Sequence, residues 1–424
     1  MRITSLRGTR DLDVQIVLSR LLRSVRLVLH PARRLILCFR YKIYALACAL
    51  LENTMSIATI PAAPIKFEKF QAADDADCQR RIIAAKEKLG KRLVILGHHY
   101  QHESVYRHAD FTGDSLKLSR YTENLDAEYI VFLGVHFMAE VADILSRPEQ
   151  IAILPDLAAG CSMADMANLA KVERSYRELN KVLNFDEQIT PITYINSAAD
   201  LKAFCGEHGG IVCTSTNAPK ILEWGFAQRE KVLFFPDQNL GRWSGYKMGI
   251  PLEQMPVWDP DQPLGGLTVE QIKNAKILLW KGHCAVHQMF RLQNITKFRE
   301  EHPDGFVISH PEAPFEVCQH SDYVGSTEYI LKTISDAPAN TKWLVGTELN
   351  LVNRLAEQMK PEGKLVQFMS HVVCECSTMA RIDPQHLAWV LENLVEGKIV
   401  NQIKVPAHEA KLAKLTLDRM LSAS

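Results

Sequence analysis

The segment RLVILGHHYQ, residues 92–101, decides the fold class of this 424-residue chain. A run of apolar residues stops at a glycine, and polar side chains follow it directly. The run does not alternate between polar and apolar residues, which is typical of a strand buried on both faces of a parallel sheet. The segment therefore predicts a buried parallel strand with a polar loop at its carboxyl end.

The same order of short apolar run, polar loop and helical stretch recurs along the chain. Helical sequence separates most of the runs, for example at 137–146 and 198–208, which predicts an α/β protein. The stretch 249–267 is rich in Pro and Gly and predicts a long loop. A C-terminal helix is predicted at 384–397, with Asp383 as its N-cap and a proline at its first position. The predicted strands are 93–96, 129–133, 151–154, 192–195, 210–213, 232–235, 277–280, 306–308 and 343–345.

These nine strands divide into three groups of three, which predicts three similar α/β/α lobes with short parallel sheets. Lobe 1 is predicted to cover 55–185, with the segment 377–424 packing back on it. Lobe 2 is predicted to cover 186–275, and lobe 3 to cover 276–376. Ligands of open α/β sheets bind beyond the carboxyl ends of the strands. Since polar side chains follow nearly every predicted strand, the sequence predicts one site shared by all three lobes.

The charges of the chain are distributed unevenly. Hydrophobic residues make up 47% and charged residues 23% of the sequence, as in an ordinary globular protein. The chain has 49 basic and 49 acidic residues, but the first 54 residues hold ten basic and three acidic ones. From Met55 onward 39 basic and 46 acidic residues remain, a formal charge of −7. We therefore expect neither a nucleic-acid partner nor a membrane surface as partner.

The basic leader, residues 1–54, has no pattern of a secretory signal, because its arginines are spread throughout rather than placed ahead of one apolar block. Its longest apolar run, 43–51, has nine residues and is too short to span a bilayer. A transit peptide and a basic amphipathic helix remain open as interpretations. We favour an upstream extension that is not native or is disordered, with the protein beginning at Met55, and we expect a cytoplasmic location.

The ten cysteines exclude several metal and redox sites by their spacing. No Cys-x-x-Cys occurs, which argues against zinc ribbons, thioredoxin-type pairs and ferredoxin-like clusters. Walker A and Gly-x-Gly-x-x-Gly motifs are also absent, so nucleotide binding has no support. Single cysteines at strand ends, such as Cys161 and Cys284, are candidates for ligating a soft metal or an Fe–S cluster at one centre. Separated cysteines are also commonly buried and inert, and that is our expectation for Cys78, Cys205 and Cys318.

Six short motifs follow the predicted strands in order along the chain. They are Gly97-His98-His99-Tyr100-Gln101, Gly113-Asp114-Ser115, Gly160-Cys161-Ser162-Met163-Ala164-Asp165, Cys284-Ala285-Val286-His287, His310-Pro311-Glu312 and Gly346-Thr347-Glu348. Together they resemble the quinolinate synthase family in its longer form. The resemblance extends from about residue 65 to the C-terminal helix and does not include the basic leader.

The resemblance implies a pseudo-threefold arrangement of three lobes, each giving one cysteine to a [4Fe–4S] cluster. Cys161 and Cys284 match the ligands of the family. At the third position the family ligand directly precedes the start of a Met-containing helix, which favours Cys376. Residues two apart in an extended segment face the same side, so geometry leaves Cys374 open. The resemblance places a substrate-contact loop at Cys213, and we interpret that thiol as packed.

The resemblance also implies the reaction, which joins iminoaspartate to dihydroxyacetone phosphate and gives quinolinate, phosphate and water in de novo NAD biosynthesis. The open iron of the cluster would act as a Lewis acid that helps hydroxide leave. L-aspartate oxidase is the implied functional partner. Two other interpretations remain open: a different non-redox Fe–S hydro-lyase, and an Fe–S sensor protein.

For proton transfer, Tyr100, His310 and Glu312 are the implied catalytic groups, since these residue types commonly move protons near neutral pH. Loops that precede helices present hydroxyls and amides, which favour carboxylate or phosphate. Taken singly, each Ser or Thr is also explained as an ordinary N-cap. These loops lack arginine, so anion recognition is predicted to depend on hydroxyls, amides and helix ends. The predicted substrate-binding residues are His98, Ser115, Tyr194, Asn196, Ser215, His287, Ser326 and Thr327.

Overall fold

Short parallel strands and the helices between them make up the part of the chain that the computed structural model describes, residues 63–372 and 375–423. The predictions for the leader 1–54 and for Cys374 lie outside these residues. The strands are β1 (Leu93–His98), β2 (Phe111–Gly113), β3 (Tyr129–Leu133), β4 (Ile151–Ile153), β5 (Ile189–Tyr194), β6 (Ile211–Cys213), β7 (Lys231–Phe235), β8 (Val257–Trp258), β9 (Ile277–Trp280), β10 (Phe306–Ser309), β11 (Tyr323–Val324), β12 (Lys342–Gly346) and β13 (Leu365–Phe368).

Helices of very different length connect these strands. Over the described ranges, none is both long and apolar enough to cross a membrane. The α-helices are α1 (Asp75–Leu89), α2 (Glu103–Tyr106), α3 (Ser115–Thr122), α4 (His136–Leu145), α5 (Ser162–Met166), α6 (Leu169–Leu179), α7 (Phe185–Gln188), α8 (Ala199–Glu207), α9 (Ala218–Gln228), α10 (Gln238–Lys247), α11 (Val269–Asn274), α12 (Leu292–Glu301), α13 (Phe315–His320), α14 (Thr327–Asp336), α15 (Leu349–Met359), α16 (Pro384–Val395) and α17 (Ala407–Ala423).

The first sheet has the strand order β2-β1-β3-β4, and all of its pairs are parallel. The apolar run that opens the sequence forms β1, and its residue Ile95 is fully buried beside Val131 of β3. Gly97 near the end of β1 allows a close approach, because a Cβ there would lie 2.6 Å from the Cβ of Ala109. The buried apolar run is therefore a central strand, as predicted, and it ends at the polar His98.

The second sheet has the order β6-β5-β7-β9-β8, again with all pairs parallel. Strand β9 pairs with β7, with Val232 opposite Ile277. The predicted boundary between lobes 2 and 3 at 275/276 is therefore wrong for this strand, which belongs to the second sheet. The reason is that a buried apolar run predicts a strand but carries no information on which neighbour it pairs with.

The third sheet has the order β11-β10-β12-β13, and it is also parallel throughout. Three parallel sheets of four, five and four strands, separated by helices, confirm the predicted α/β class with three lobes. The sequence missed β2, β8, β11 and β13. Each of these is an edge strand of two to four residues without an apolar run of three residues, whereas the edge strands β4 and β6, which were predicted, have such a run.

The C-terminal segment divides between two lobes. Helix α16 begins as predicted, with the Asp383 side chain accepting from the backbone N–H of His386 at 2.7 Å. It packs on α1 of the first lobe, where Arg81 forms a two-pronged ion pair with Glu392 at 2.6 and 2.9 Å. Helix α17 packs instead on α8 and β6 of the second lobe. The prediction that all of 377–424 packs on lobe 1 is therefore wrong for α17.

The contact between α8 and α17 depends on a glycine. A Cβ at Gly206 would lie 2.4 Å from the backbone oxygen of Leu412, so the two helices approach at the distance that only glycine allows. Apolar residues of α17, including Leu417 and Met420, are fully buried in the core of the second sheet. This packing fixes α8, which carries a buried lysine beside the site.

Candidate active site

A cavity lies at the carboxyl ends of strands from all three sheets. His98 ends β1, Tyr194 ends β5, and His310 directly follows β10. Among the predicted site residues, Ser326 is the one that does not line this cavity. The predicted residues that line it are His98, Tyr100, Ser115, Cys161, Tyr194, Asn196, Ser215, Cys284, His287, His310, Glu312, Thr327 and Cys376.

Among the described residues three free cysteines line the cavity, and each follows a strand of a different sheet. Cys161 follows β4 of the first sheet, Cys284 follows β9 of the second and Cys376 follows β13 of the third. Burial, with a smaller effect of the nearby Cys376 sulfur, raises the pKa of Cys161 to about 12. Burial and Glu312 also raise the pKa of Cys284, with smaller effects from Cys376 and Cys161. The three sulfurs therefore lie close enough to act on one another.

The other described cysteines differ from these three in exposure and surroundings. Cys78, Cys205, Cys213 and Cys318 are all buried, whereas the three cavity cysteines are partly exposed. Cys213 is fully buried in the apolar core of the second sheet, and burial raises its pKa well above the usual value. A buried thiol of this kind has no access to a ligand and behaves as a small apolar side chain.

The donor set fits a soft metal group. Thiolates favour soft metals and Fe–S clusters, and three converging cysteines leave one position of a four-iron cluster without a protein ligand. The hydroxyl of Thr378 lies 3.3 Å from the Cys376 sulfur. A second group of ligand type overlaps this set, because one atom each of Cys284, His287 and Glu312 lie within 4.8 Å of one another.

Glu312 is the centre of a buried acid–base group. Its Oε1 accepts a hydrogen bond from the Tyr194 hydroxyl at 2.7 Å, and its Oε2 lies 3.0 Å from Nδ1 of His287. Burial alone would raise the pKa of Glu312, but the adjacent His287 and His310 rings outweigh burial and hold the pKa below its usual range. The carboxylate is thus ionised, and its two oxygens face the Tyr194 hydroxyl and the His287 ring.

Two histidines of the cavity are neutral at neutral pH. Burial lowers the pKa of His98 to about 3 and that of His310 to about 3. The ring of His310 stacks on His287, with centroids 4.7 Å apart. The sequence predicts a histidine that titrates near neutrality at His310, and the structure differs because burial penalises the charged ring.

Tyr100 is held as a protonated phenol. Its hydroxyl lies 3.0 Å from Oγ1 of Thr327 and 2.9 Å from Oγ1 of Thr347. Burial raises the pKa of Tyr100 well above 10, and Glu312 raises it further. Tyr100 therefore keeps its proton and presents a fixed hydrogen-bond donor. Thr347 belongs to the motif Gly346-Thr347-Glu348 but is not among the predicted site residues.

His99, the neighbour of His98, has a different role. Its Nε2 lies 2.7 Å from the Glu328 carboxylate, which also binds Lys117 at 3.2 Å. Glu328 belongs to α14 of the third lobe, while Lys117 belongs to α3 of the first. His99 therefore joins two lobes outside the cavity.

Hydroxyls and amides supply the anion-binding groups of the cavity. Ser115 begins α3, and Asn196 carries an Oδ1 atom that is buried and has no hydrogen-bond partner. Ser326 caps α14 through the backbone N–H of Tyr329 at 3.4 Å, so its substrate contact stays a prediction. No lysine or arginine is among the described residues that line the cavity, whereas Asp114, Glu312 and Glu348 do line it. This lining agrees with the sequence of the predicted loops, which contain no arginine.

Sequence reasoning missed a carboxylate that holds a cysteine loop. Glu348 lines the cavity, accepts from the backbone N–H of Asn350 at 2.8 Å and caps α15. Its Oε1 also accepts from the backbone N–H of Cys376 at 3.4 Å. Burial raises the pKa of Glu348 to about 7. Its place in the motif Gly346-Thr347-Glu348 at the end of β12 was the available signal.

A second carboxylate holds two cysteine loops together. Asp156, in the loop that leads to Cys161, forms an ion pair with Arg381 at 2.7 Å. Arg381 lies just beyond Cys376 in the chain. The loops of Cys161 and Cys376 are therefore joined although they come from different sheets.

A cavity at the carboxyl ends of parallel strands, with a buried acid–base group, defines the chain as an α/β enzyme for small-molecule substrates. The family model described as Quinolinate synthetase A protein matches residues 80–422. The chain belongs to the quinolinate synthase family, which confirms the resemblance found in the sequence.

Individual relatives agree with this assignment. A quinolinate synthase of Herpetosiphon aurantiacus is 53% identical over 371 residues, covering 87% of this chain and 98% of the relative. Another, of Corynebacterium glutamicum, is 51% identical over 372 residues, covering 88% of this chain and 94% of the relative. A third, of Acidobacterium capsulatum, is 50% identical over 369 residues, covering 87% of this chain and 99% of the relative.

Proposed function

We propose that this enzyme condenses iminoaspartate with dihydroxyacetone phosphate to form quinolinate, phosphate and water in de novo NAD biosynthesis. The observation that carries the proposal is the single cavity in which three thiols, a buried acid–base group and several hydroxyls meet. Family membership supports the same reaction. The reaction requires a site for two carboxylates and a phosphate, proton transfer around a carbon skeleton, and departure of hydroxide.

The cofactor that we propose is a [4Fe–4S] cluster held by Cys161, Cys284 and Cys376. When bound, a cluster with one iron free of protein ligands supplies a Lewis acid that helps hydroxide leave. A single metal ion on Cys284, His287 and Glu312 is less well supported, because both carboxylate oxygens of Glu312 already face Tyr194 and His287. That arrangement is typical of an acid–base group.

For proton transfer we assign the main role to Glu312. Its ionised carboxylate accepts a proton from the substrate carbon skeleton. Before that step His287, 3.0 Å away, stabilises the negative charge of the carboxylate. The Tyr194 hydroxyl fixes the orientation of the carboxylate through its 2.7 Å hydrogen bond. His310, neutral and stacked on His287, donates and accepts hydrogen bonds without becoming charged.

For substrate binding we assign hydrogen-bonding roles to the neutral groups of the cavity. Tyr100 donates its hydroxyl proton to a substrate oxygen, held in place by Thr327 and Thr347. Asn196 and Tyr194 enter from the same strand end of the second lobe. The remaining binding groups that we propose are His98, Ser115, Ser215, His287, Ser326 and Thr327. L-aspartate oxidase as functional partner and the cytoplasmic location stay predictions.

The test is anaerobic purification of the full chain followed by an assay with iminoaspartate and dihydroxyacetone phosphate. We expect quinolinate to form, and about four irons and four sulfides per chain, as one cubane cluster requires. Cluster-loaded protein that forms no quinolinate would contradict the proposed reaction. Product analysis by mass spectrometry separates this reaction from that of another hydro-lyase.

A further inference from the structure

A lysine is buried completely behind the wall of the cavity. Lys202 of α8 has no solvent exposure. Its Nζ donates to the backbone oxygen of Ser197, lies 3.5 Å from Ser197 Oγ and lies 5.7 Å from the ring centroid of Phe137. Among the described residues no carboxylate forms an ion pair with it, although Glu140 and Asp200 act on it from farther away. Such burial of a lysine without a close partner is costly and calls for a reason.

Ser197, the residue that Lys202 binds, holds the site residues Tyr194 and Asn196 in place. The Ser197 hydroxyl donates to the backbone oxygen of Tyr194 at 2.8 Å, and Oγ1 of Thr193 donates to Ser197 Oγ at 2.9 Å. The backbone N–H of Ser197 donates to the oxygen of Ile195 at 2.9 Å. The turn 194–197 is therefore closed by Ser197, and it presents Tyr194 and Asn196 to the cavity.

The charge of Lys202 complements the composition of the cavity lining. The described lining residues include Asp114, Glu312 and Glu348 but no lysine or arginine. Phe137, whose ring centroid lies 5.7 Å from Nζ of Lys202, also lines the cavity. A buried charge is screened much less by salt than a surface charge, so its field extends into the adjoining cavity. Burial lowers the pKa of Lys202 to about 8, with Glu140 opposing, so the side chain is mainly charged at pH 7.

We infer that Lys202 is a positioning residue for the anionic substrates: its ammonium fixes the turn 194–197 and supplies the positive potential that the cavity lining lacks. The inference rests on the proposed function, in which the substrates carry two carboxylates and a phosphate. It differs from a role in folding alone, because it assigns the effect of Lys202 to substrate affinity.

Lys231 provides a matched control in the same lobe. It is also buried, and its Nζ donates to the backbone oxygens of Lys273 at 2.7 Å and Ala275 at 3.1 Å. It lies at the start of β7, the strand end opposite to the cavity. Lys231 also forms an ion pair with Glu230 at 3.1 Å, so removal of its charge disturbs a buried lysine and an ion pair at the strand end remote from the cavity.

The experiment compares Lys202→Met and Lys231→Met in the anaerobically purified full chain. For Lys202→Met we expect KM for both substrates to rise at least about tenfold while kcat changes less than about threefold. The iron and sulfide contents should equal those of the wild type. Lys231→Met should lower the thermal midpoint but leave KM unchanged. Equal KM values in the two variants would overturn the inference.

Binding of maleate, a four-carbon dicarboxylate, tests the inference without turnover. We expect calorimetry to show a dissociation constant about tenfold higher for Lys202→Met than for Lys231→Met, even if the wild type forms no quinolinate and the proposed function fails. Should Lys202→Met not fold, the wild type gives the test between pH 7 and 9.5. The titratable groups that face the ammonium of Lys202 are Glu140 of α4 and Asp200 and Cys205 of α8. Maleate binding should weaken above about pH 8, and binding that is constant over this range would overturn the inference.

Discussion

Two sets of residues share the cavity, and they are held in opposite ways. The thiol set, Cys161, Cys284 and Cys376, comes from three different sheets, and its residues are partly exposed. The acid–base set, Tyr194, His287 and Glu312, is buried and linked by contacts of 2.7 and 3.0 Å. The comparison teaches that contacts within the protein complete the acid–base set, whereas the thiol set is where we propose that an added group binds.

The largest expected effect separates the thiol set from the buried cysteines. Cys284→Ser should lose the cluster and lower quinolinate formation at least about a hundredfold, because an alcohol is a poor ligand for iron. Iron analysis and the quinolinate assay measure both effects. Cys213→Ser is the control, and it should keep full iron content because Cys213 is enclosed in the core. Retention of the cluster in Cys284→Ser would refute the ligand assignment.

The next effect separates the acid–base set from the thiol set. Glu312→Gln should lower kcat by about 10²- to 10⁴-fold because the amide cannot accept the proton. Its iron content should stay that of the wild type, since the cysteines are unchanged. Steady-state kinetics and iron analysis on the same preparation test this. The exposed Glu316 on α13 supplies the control Glu316→Gln, for which we expect unchanged kcat. Loss of iron in Glu312→Gln would show instead that this carboxylate holds the metal.

A smaller effect is expected where a carboxylate supports a loop of the thiol set. Glu348→Gln removes the charged acceptor of the Cys376 backbone N–H and should speed iron release to a chelator about tenfold. The freshly loaded variant should keep kcat within about threefold. Glu357→Gln, on the exposed side of the same helix, should release iron at the wild-type rate. Equal release rates in both variants would show that Glu348 acts only as a helix cap.

The smallest effect concerns Lys202, which lies outside both sets. Its pKa is about 8 when folded and 10.5 as a free side chain. Between these pH values the unfolded chain binds more protons than the folded chain. The free energy of unfolding of the wild type should therefore rise with pH relative to that of Lys202→Met. The free energy of unfolding should rise by on the order of 3 kcal/mol between about pH 8 and pH 10.5. This gain is lost again as the pH falls through 8. Chemical denaturation at pH 7.5 and 9.5 measures it. An equal change in both proteins would mean that Lys202 does not titrate there.

The sequence predicts the central strands well because each is buried on both faces and reads as a continuous apolar run. The edge strand β8 lies within a stretch predicted as a loop, since an edge strand gains its stability from one neighbour and needs no such run. The sequence also does not show which strands pair with one another. Strand β9 was therefore assigned to lobe 3, although it belongs to the second sheet. With β9 in the second sheet, Cys284 becomes the one cavity cysteine of that sheet.

The site was predictable where a residue type at a strand end suggests chemistry. The cavity lining includes His98, Tyr100, Glu312, Cys161 and Cys284, all named from motifs, and Cys376, which the family resemblance favours. The sequence could not show that Glu312 contacts both His287 and Tyr194, because these residues come from different lobes and meet only on folding. Lys202 carries no motif, and only its complete burial beside Ser197 distinguishes it from a surface lysine.

The distribution of the cavity cysteines over three sheets has a consequence for biosynthesis of the enzyme. Cys376 lies near the end of the chain and follows β13, the last strand of the last sheet. A nascent chain that has folded its first two sheets therefore exposes only two of the three sulfurs at their final positions. The donor set that we propose is therefore complete only after translation of nearly the whole chain, and we expect delivery of the proposed cluster to follow folding.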